Sequence, residues 1–224
     1  MWLLTAEEGL LRATVFGGPK SRLRSHASPF HSGQAWIYHD PSKDNRKLSD
    51  FDVHSWRPGL RELYERAMAA DALAETVLAT HGGGGNWGAA VSLAEAAFDA
   101  LALADSEACT MILLHFLWQW TGFLGIRPEL DCCSLCQKPA PANATVQFSP
   151  GEGGVVCLAC RPEGQGGFIA AGPGCRHWLT AVQQIDPAQL ADYPLDAKSF
   201  RQAKTLATAI LAEALGRRLA SWEW

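Results

Sequence analysis

The apolar positions along the chain change their spacing near residue 58. Before that point, short segments rich in β-branched and aromatic residues alternate with segments of Gly, Pro, Ser and charged residues, a pattern typical of strands joined by turns. The three apolar segments are residues 10–16, 29–39 and 47–56. Their close spacing predicts a small β-barrel at the N-terminal end of the chain.

From residue 58 onward the apolar positions follow a helical period. The first helix carries seven of them on one face: Leu60, Leu63, Tyr64, Ala67, Ala74, Val77 and Leu78. The glycines of residues 82–85 end this helix, and Asn86 is the predicted N-cap of the next one. The same glycines match GxGxxG, but a helix rather than a strand precedes them, which predicts an interhelix turn and not a dinucleotide site. The last predicted helix has a similar apolar face: Phe200, Ala203, Ala207, Ile210, Ala214 and Leu215.

One segment, residues 108–126, contains no formally charged residue and is long enough to cross a membrane. However, it contains His115 and Gln119, which need hydrogen-bond partners, and its flanks have no cluster of positive charge. These features favour the buried central helix of a soluble bundle, with a membrane span as the alternative.

The charge is distributed unevenly over the 224 residues. The formal net charge is −4, which excludes a globally basic nucleic-acid binder. Residues 1–59 nevertheless contain 8 Lys and Arg against 6 Asp and Glu, whereas the remainder contains 11 against 17. A binding site for a polyanion is therefore expected at the N-terminal end. The first ten residues lack the basic region of a signal peptide, so we expect no export.

Four of the seven cysteines form two matched pairs, Cys133 with Cys136 and Cys157 with Cys160. Each pair has two intervening residues, a spacing that lets one tight turn direct both sulfurs at a single tetrahedral metal ion. Cys132 is interpreted as a bystander. The spacing predicts a structural zinc site; the alternatives are a metal-free knuckle and a redox or disulfide pair. Four thiolates leave no open position for a catalytic water, so this site would stabilise the fold and would not catalyse a reaction.

The sequence contains no recognisable catalytic motif, such as HExxH, GxSxG or a phosphate-binding GxxxxGK[ST] loop, and we expect a protein that is not an enzyme. His115 is interpreted as a core histidine. Glu95 and Asp99 are interpreted as part of a solvated stripe. Arg217 and Arg218 near the end of the last helix either cap it or contact a ligand.

A basic stretch at residues 17–30 is the clearest candidate for polyanion binding. Lys20, Arg22 and Arg24 lie within five residues, and in an extended loop their side chains would project to one side. Arg12 is the fourth candidate. Phosphate binding beside rings that could stack bases is one interpretation; these rings are Phe30, Trp36, Tyr38 and the histidines at this end of the chain. A solvated loop next to core aromatics is the other.

The chain contains, in order, the PKSRLR stretch with the following Pro29-Phe30, the helices, the Cys133-x-x-Cys136 pair and the FSPGEGGVVCLAC block. The order of these features resembles the RecO family of bacterial recombination mediators. This resemblance covers nearly the whole chain. It implies an N-terminal OB-fold and a helical domain with an inserted zinc module. It also implies single- and double-stranded DNA binding, strand annealing, and recombinase loading with RecR and the acidic tail of single-strand-binding protein. Arg12, Lys20, Arg22 and Arg24 are then expected to contact DNA.

The expected fold is therefore α+β. Residues 1–57 would form an OB-fold barrel and residues 58–224 an α-helical domain, with a four-cysteine zinc module at 131–161. Family members begin with a further strand and turn before the segment that corresponds to Leu3, so either the start of this chain is misassigned or its barrel lacks the first strand. We expect a cytoplasmic, nucleoid-associated DNA repair and recombination mediator. The alternative is a zinc-stapled helical interaction module that does not bind DNA.

Overall fold

The computed structural model describes residues 1–18, 20–42, 45–161, 164 and 166–224. Pro19 of the basic stretch is outside these ranges. The chain divides into two compact units, Met1–Cys109 and Thr110–Trp224. The predicted domain boundary after residue 57 stays a prediction.

In its described residues the first unit contains five strands, the first three helices and the start of the fourth. The strands are β1 (Trp2–Thr5), β2 (Gly9–Arg12), β3 (Thr14–Val15), β4 (Ser32–Asp40) and β5 (Asn45–Ser55). The helices are α1 (Arg22–His26), α2 (Tyr64–Ala79), α3 (Trp87–Leu103) and α4 (Ser106–Phe123), of which α4 continues into the second unit. A 3-10 turn, Pro58–Arg61, precedes α2.

The strands form two separate sheets. β1 pairs only with β2 in an antiparallel hairpin, whereas β5 is the centre of a three-stranded sheet, parallel to β3 and antiparallel to β4. Within the described residues these sheets do not close into a barrel, because no strand pairing joins the β1–β2 hairpin to the three-stranded sheet. The α+β class is confirmed, but the OB-fold barrel is not.

Helix α1 was not predicted, because the basic stretch had been interpreted as a loop. Its amphipathic spacing explains it: Leu23 and Ala27 lie four residues apart and pack on the core of the three-stranded sheet. That core consists of Leu11, Ala13, Leu48 and Phe51. The extended arrangement that would place Lys20, Arg22 and Arg24 on one side is therefore wrong, since Arg22 and Arg24 belong to one short helical turn.

The helical predictions are largely confirmed. Asn86 caps α3, its side chain accepting a hydrogen bond from the Ala89 N–H at 3.3 Å. The glycines of residues 82–85 join α2 to α3, so the dinucleotide interpretation is excluded by the helix that precedes them.

The second unit contains the cysteine-rich module and the remaining helices. A three-stranded antiparallel sheet with the order β7-β6-β8 is formed by β6 (Val146–Ser149), β7 (Gly154–Val156) and β8 (Ile169–Ala171). It is followed by α5 (Pro173–Ala181) and α6 (Ala197–Leu215). Gly216, with φ 65°, ends α6, so Arg217 and Arg218 lie beyond the helix and are exposed.

The apolar segment that includes α4 is buried in the second unit from Ile112 to Trp118 without interruption. The indole of Trp118 donates to the Leu179 carbonyl at 2.7 Å, and the ring of His115 lies 3.1 Å from the Val182 carbonyl. His115 is thus a core histidine, as predicted. Among the described helices, none has the length and hydropathy required to cross a membrane.

Candidate functional site

The second unit brings the four predicted metal ligands together. The sulfurs of Cys133, Cys136, Cys157 and Cys160 all lie within 4.8 Å of one another, and the Sγ atoms of Cys136 and Cys157 are 3.8 Å apart. The bystander Cys132 is not part of this group; its thiol contacts the side-chain oxygen of Gln137 at 3.7 Å. Such a group of four thiols has the donor atoms and the compactness for one tetrahedral metal ion.

Each pair of cysteines is held in a tight turn by backbone hydrogen bonds. In the first turn the Gln137 N–H donates to the Cys133 carbonyl at 2.9 Å, and Gln137 adopts a left-handed conformation with φ 60°. In the second, the N–H groups of Cys160 and Arg161 both donate to the Cys157 carbonyl at 3.0 Å. Two short turns therefore position all four sulfurs without help from long side chains.

The two turns are joined through β7. The Ser134 N–H donates to the Val155 carbonyl at 2.8 Å, and the Ser134 hydroxyl donates to the same oxygen at 3.2 Å. Ser134 also lies so close to Gly154 that a Cβ there would be 2.6 Å from the Ser134 Cβ. Any larger residue at position 154 would push the first turn away from the second. The glycine in this part of the FSPGEGGVVCLAC block thus has a packing role.

Hydrogen bonds within the cluster shift the pKa values of two of its thiols in opposite directions. The Cys157 N–H, directed at the sulfur of Cys133 at 3.5 Å, is the main cause that lowers the pKa of Cys133 to about 6. The pKa of Cys160 is raised to about 12, mainly by its hydrogen bond with the Cys136 thiol. One thiolate is therefore favoured while a neighbouring thiol retains its proton. A divalent cation would allow all four sulfurs to ionise, because its charge offsets the repulsion between neighbouring thiolates.

A buried arginine that sequence reasoning missed supports the module from α5. Arg176 is 5% exposed, and it donates to the carbonyls of Pro141 and Ala144 at 3.0 and 3.2 Å. It also forms an ion pair with Asp131 at 3.0 Å. A single side chain thus connects Asp131, which precedes the first cysteine turn, to the loop that leads from this turn to β6. The only sequence feature that could have indicated Arg176 is the presence of a charged residue on the apolar face of a helix.

The first unit contains the predicted cationic residues, and all four are exposed. Arg12 and Arg24 line the same cleft, of about 550 Å³, together with Thr14 and Ser28. Arg24 also donates to the Gly17 carbonyl at 3.2 Å, and the Arg22 Nε lies 3.4 Å from the ring nitrogen of His26. Lys20 and Arg22 do not line the cleft. The structure therefore separates the four residues into a pair in a cleft and a pair next to it.

A second buried arginine lies in this unit. Arg57 has φ 44° and donates to the Asp99 carboxylate at 2.6 Å, the Ser32 hydroxyl at 2.6 Å and the Phe30 carbonyl at 2.8 Å. The interpretation of Asp99 as part of a merely solvated stripe is therefore wrong. Although the carboxylate is exposed, it is the counter-ion of a buried guanidinium that connects α3 to the segment before β4.

Most of the chain is similar to one known protein family. The family model described as Recombination protein O C terminal matches residues 61–223. Curated proteins named DNA repair protein RecO match as well. The one from Anaeromyxobacter dehalogenans (strain 2CP-C) is 37% identical over 97 residues, which is 43% of this chain and 37% of that protein.

Two longer matches carry the same name. The protein from Gloeobacter violaceus is 29% identical over 170 residues, covering 75% of this chain and 64% of its own length. The protein from Desulfitobacterium hafniense (strain DSM 10664 / DCB-2) is 28% identical over 181 residues, covering 80% and 62%. The chain thus spans less than two thirds of each of these relatives.

Proposed function

The chain belongs to the RecO family, and on this premise we propose that it is a non-enzymatic mediator of DNA repair and homologous recombination that binds single-stranded DNA. The observation that carries the proposal is the cationic surface of the first unit, formed by Arg12, Lys20, Arg22 and Arg24 in a chain whose net charge is −4. An exposed group of cations in an acidic protein is the electrostatic feature expected of a phosphate-binding site.

The finer parts of the proposal follow the family. The strands of the first unit would represent an OB-fold-like module, and the chain would bind duplex DNA, anneal complementary strands and help RecR to load a recombinase. It would act in the cytoplasm on the nucleoid. Support for docking of the acidic tail of single-strand-binding protein comes from a groove of about 330 Å³ in the second unit. Lys198 and Arg201 line it beside the apolar Phe168 and Ile169.

The cysteine cluster is assigned to structural zinc. All four donors are sulfur, their spacing suits a tetrahedral ion, and two tight turns position them, which is the usual arrangement of a closed zinc site. The ion would connect the first turn to β7 and so stabilise the fold of the module.

The experiment for DNA binding is a titration of a labelled single-stranded oligonucleotide at two salt concentrations. Four phosphate contacts at a slope of about −0.7 each give about −2.8 in log K against log salt, so raising salt from about 50 to 200 mM weakens binding about 50-fold. Replacing Lys20, Arg22 and Arg24 by Ala flattens the slope by about two units, with little change in thermal stability because all three are exposed.

The matched control removes the same charge elsewhere. Arg61, Lys198 and Arg201 are exposed as well, and their joint replacement by Ala leaves the slope unchanged if the basic stretch is the site. Equal binding by the parent and the first triple variant at both salts would contradict this assignment. Arg217 and Arg218 would then be the next candidates.

A second function is favoured by one observation. Leu135 and Leu158, one in each cysteine turn, are 51% and 85% exposed. Exposed leucines at both turns suit a protein-interaction module, which was the alternative considered from the sequence. A parent chain that binds no oligonucleotide at low salt while retaining its metal would favour this alternative.

A further inference from the structure

The outer face of the three-stranded sheet exposes large aromatic side chains. Along β4, Ala35 and Ile37 pack on the sheet core, so Trp36 and Tyr38 point to the opposite side. Trp36 is 46% exposed and Tyr38 is 58% exposed. Phe16, directly after β3, is 57% exposed. Three exposed rings on one small sheet are unusual for a surface without a ligand.

Several other aromatic side chains of this region have ring partners. Phe30 packs against Phe98 with 5.2 Å between ring centroids. The rings of His26 and His31 contact the edge of Trp56 at 5.1 and 5.0 Å. Of the Phe, Trp and Tyr residues that the sequence suggested for base stacking, the structure therefore leaves Trp36 and Tyr38 available. Within the described part of the chain, neither ring stacks on another.

A cation lies between the exposed rings. Tyr38 is the register partner of Lys47 on β5, and Lys47 is the register partner of Thr14 on β3. The Lys47 Nζ lies 5.3 Å from the centroid of the Phe16 ring. One row across the sheet thus contains the ring of Tyr38, the ammonium group of Lys47 and Thr14, and the ring of Phe16 lies two residues after Thr14. With strands about 4.8 Å apart, Tyr38 and Thr14 are about 10 Å from each other.

This row leads to the cationic cleft. Thr14, its last member, also lines the cleft that contains Arg12 and Arg24. The opposite part of the face is acidic: Trp36 is the register partner of Asp50, and Asp52 pairs with His54 at 3.8 Å. The phosphates of a polyanion would therefore lie over Lys47 and the cleft, and only its uncharged flat groups would reach Trp36 beside Asp50.

We propose that the exposed rings of Tyr38 and Trp36 stack unpaired bases of single-stranded DNA whose phosphates contact Lys47, Arg12 and Arg24. The inference rests on the proposed DNA binding and names the part of the surface that distinguishes a single strand from a duplex. Only an unpaired strand can offer base faces, whereas both forms offer phosphates. Base stacking on aromatic side chains is tolerant of sequence and contributes a term that salt does not screen.

The experiment measures binding of three probes: a thymidine oligonucleotide, an abasic oligonucleotide of the same length, and a duplex. Tyr38→Ala and Trp36→Ala each weaken thymidine binding about 5- to 160-fold, because stacking contributes about 1–3 kcal/mol per base. The factor is the same at low and high salt. Binding of the abasic oligonucleotide and of the duplex stays within about twofold of the parent.

Two control variants isolate the rings. Tyr38→Phe retains the ring and is expected to bind like the parent. Tyr64→Ala removes a tyrosine that is 74% exposed on α2 of the same unit, and it leaves all three affinities unchanged. Because the parent is compared on thymidine and abasic strands, a test remains even if a substitution were to disturb folding: equal affinity of the parent for both probes overturns the stacking inference.

The remaining outcomes separate this inference from the function on which it rests. If the parent binds with the expected salt slope but the ring variants match it, DNA binding stands and the stacking face is wrong. If the affinity lost in the ring variants at low salt is not lost at high salt, stacking is also overturned, because such a salt-dependent loss would be electrostatic. If the parent binds none of the probes at low salt, both proposals fall.

Discussion

Within the described residues, each unit of this protein contains one buried arginine, and the two arginines lie in different settings. Arg57 in the first unit and Arg176 in the second both donate to backbone carbonyls and pair with an exposed carboxylate, Asp99 and Asp131 respectively. Arg57 holds the segment before β4 against α3, and no cluster of potential metal ligands shares this task in the described part of the first unit. Arg176 supports a loop that is also closed by four cysteines.

The hydrogen bonds of the two arginines differ as well. The three bonds of Arg57 range from 2.6 to 2.8 Å, whereas those of Arg176 range from 3.0 to 3.2 Å. The Nε of Arg176 is buried and has no hydrogen-bond partner within the described residues. A buried donor without a partner reduces the net contribution of that side chain. We therefore expect the stability of the first unit to depend more on its arginine, and that of the second unit to depend more on its cysteine cluster.

The largest expected effect comes from the cysteine cluster. The purified chain should contain close to one zinc per molecule, and apparent binding free energies of about 10–16 kcal/mol for thiolate sites imply that removing the metal unfolds at least the module. Cys133→Ser should abolish stoichiometric zinc, whereas Cys132→Ser, in the adjacent position but outside the cluster, should retain it. Metal analysis of the two variants after purification under reducing conditions measures the difference. Equal zinc content in both would contradict the ligand assignment.

The same contrast explains which features could be predicted from the sequence. The two cysteine turns depend on contacts within a few residues, so spacing alone was enough to predict which sulfurs meet. Helix α1 and the parallel pairing of β3 with β5 depend on packing between distant segments. Arg57 meets Asp99 across 42 positions, and Arg176 meets Asp131 across 45. Neither pair leaves a local pattern, which is why Asp99 was misinterpreted as part of a solvated stripe.

A smaller loss of stability is expected when each of the two buried arginines is replaced by alanine. Arg57→Ala should destabilise the first unit by about 3 kcal/mol, since hydrogen bonds to charged groups contribute about 1.5–3 kcal/mol each and water replaces part of what is lost. Arg176→Ala in the zinc-loaded chain should cost the second unit about half as much, because the metal still closes the module. Amide hydrogen exchange, followed separately in Met1–Cys109 and Thr110–Trp224, measures both values.

The control for this pair is Arg61→Ala. Arg61 is exposed in the 3-10 turn shortly after Arg57, and its removal should change protection by no more than about 0.5 kcal/mol. If Arg176→Ala were the more damaging of the two with zinc bound, the second unit would depend on its arginine as well, and the contrast between the units would disappear.

The smallest expected effect is a loss of stability of the second unit as the pH falls. Burial lowers the pKa of His115 below its ordinary value of 6.5, while the carbonyls of Val182 and Ile185 and the charge of Asp186 oppose the shift. Below pH 6.5 the unfolded chain therefore binds a proton that the folded chain does not, so the free energy of unfolding falls as the pH decreases toward the folded pKa. For one proton the slope reaches at most about 1.4 kcal/mol per pH unit.

His115→Gln should remove this dependence, because glutamine does not titrate and can still donate to the Val182 carbonyl. The measurement is hydrogen exchange or chemical denaturation of Thr110–Trp224 in the full chain between about pH 5 and 7, a range above the ordinary pKa of carboxyl groups. The protection of first-unit amides against hydrogen exchange should change less with pH, since His115 lies in the second unit. A parent and a glutamine variant that lose stability in parallel as the pH falls would show that another group, and not the buried imidazole on α4, makes this unit sensitive to acid.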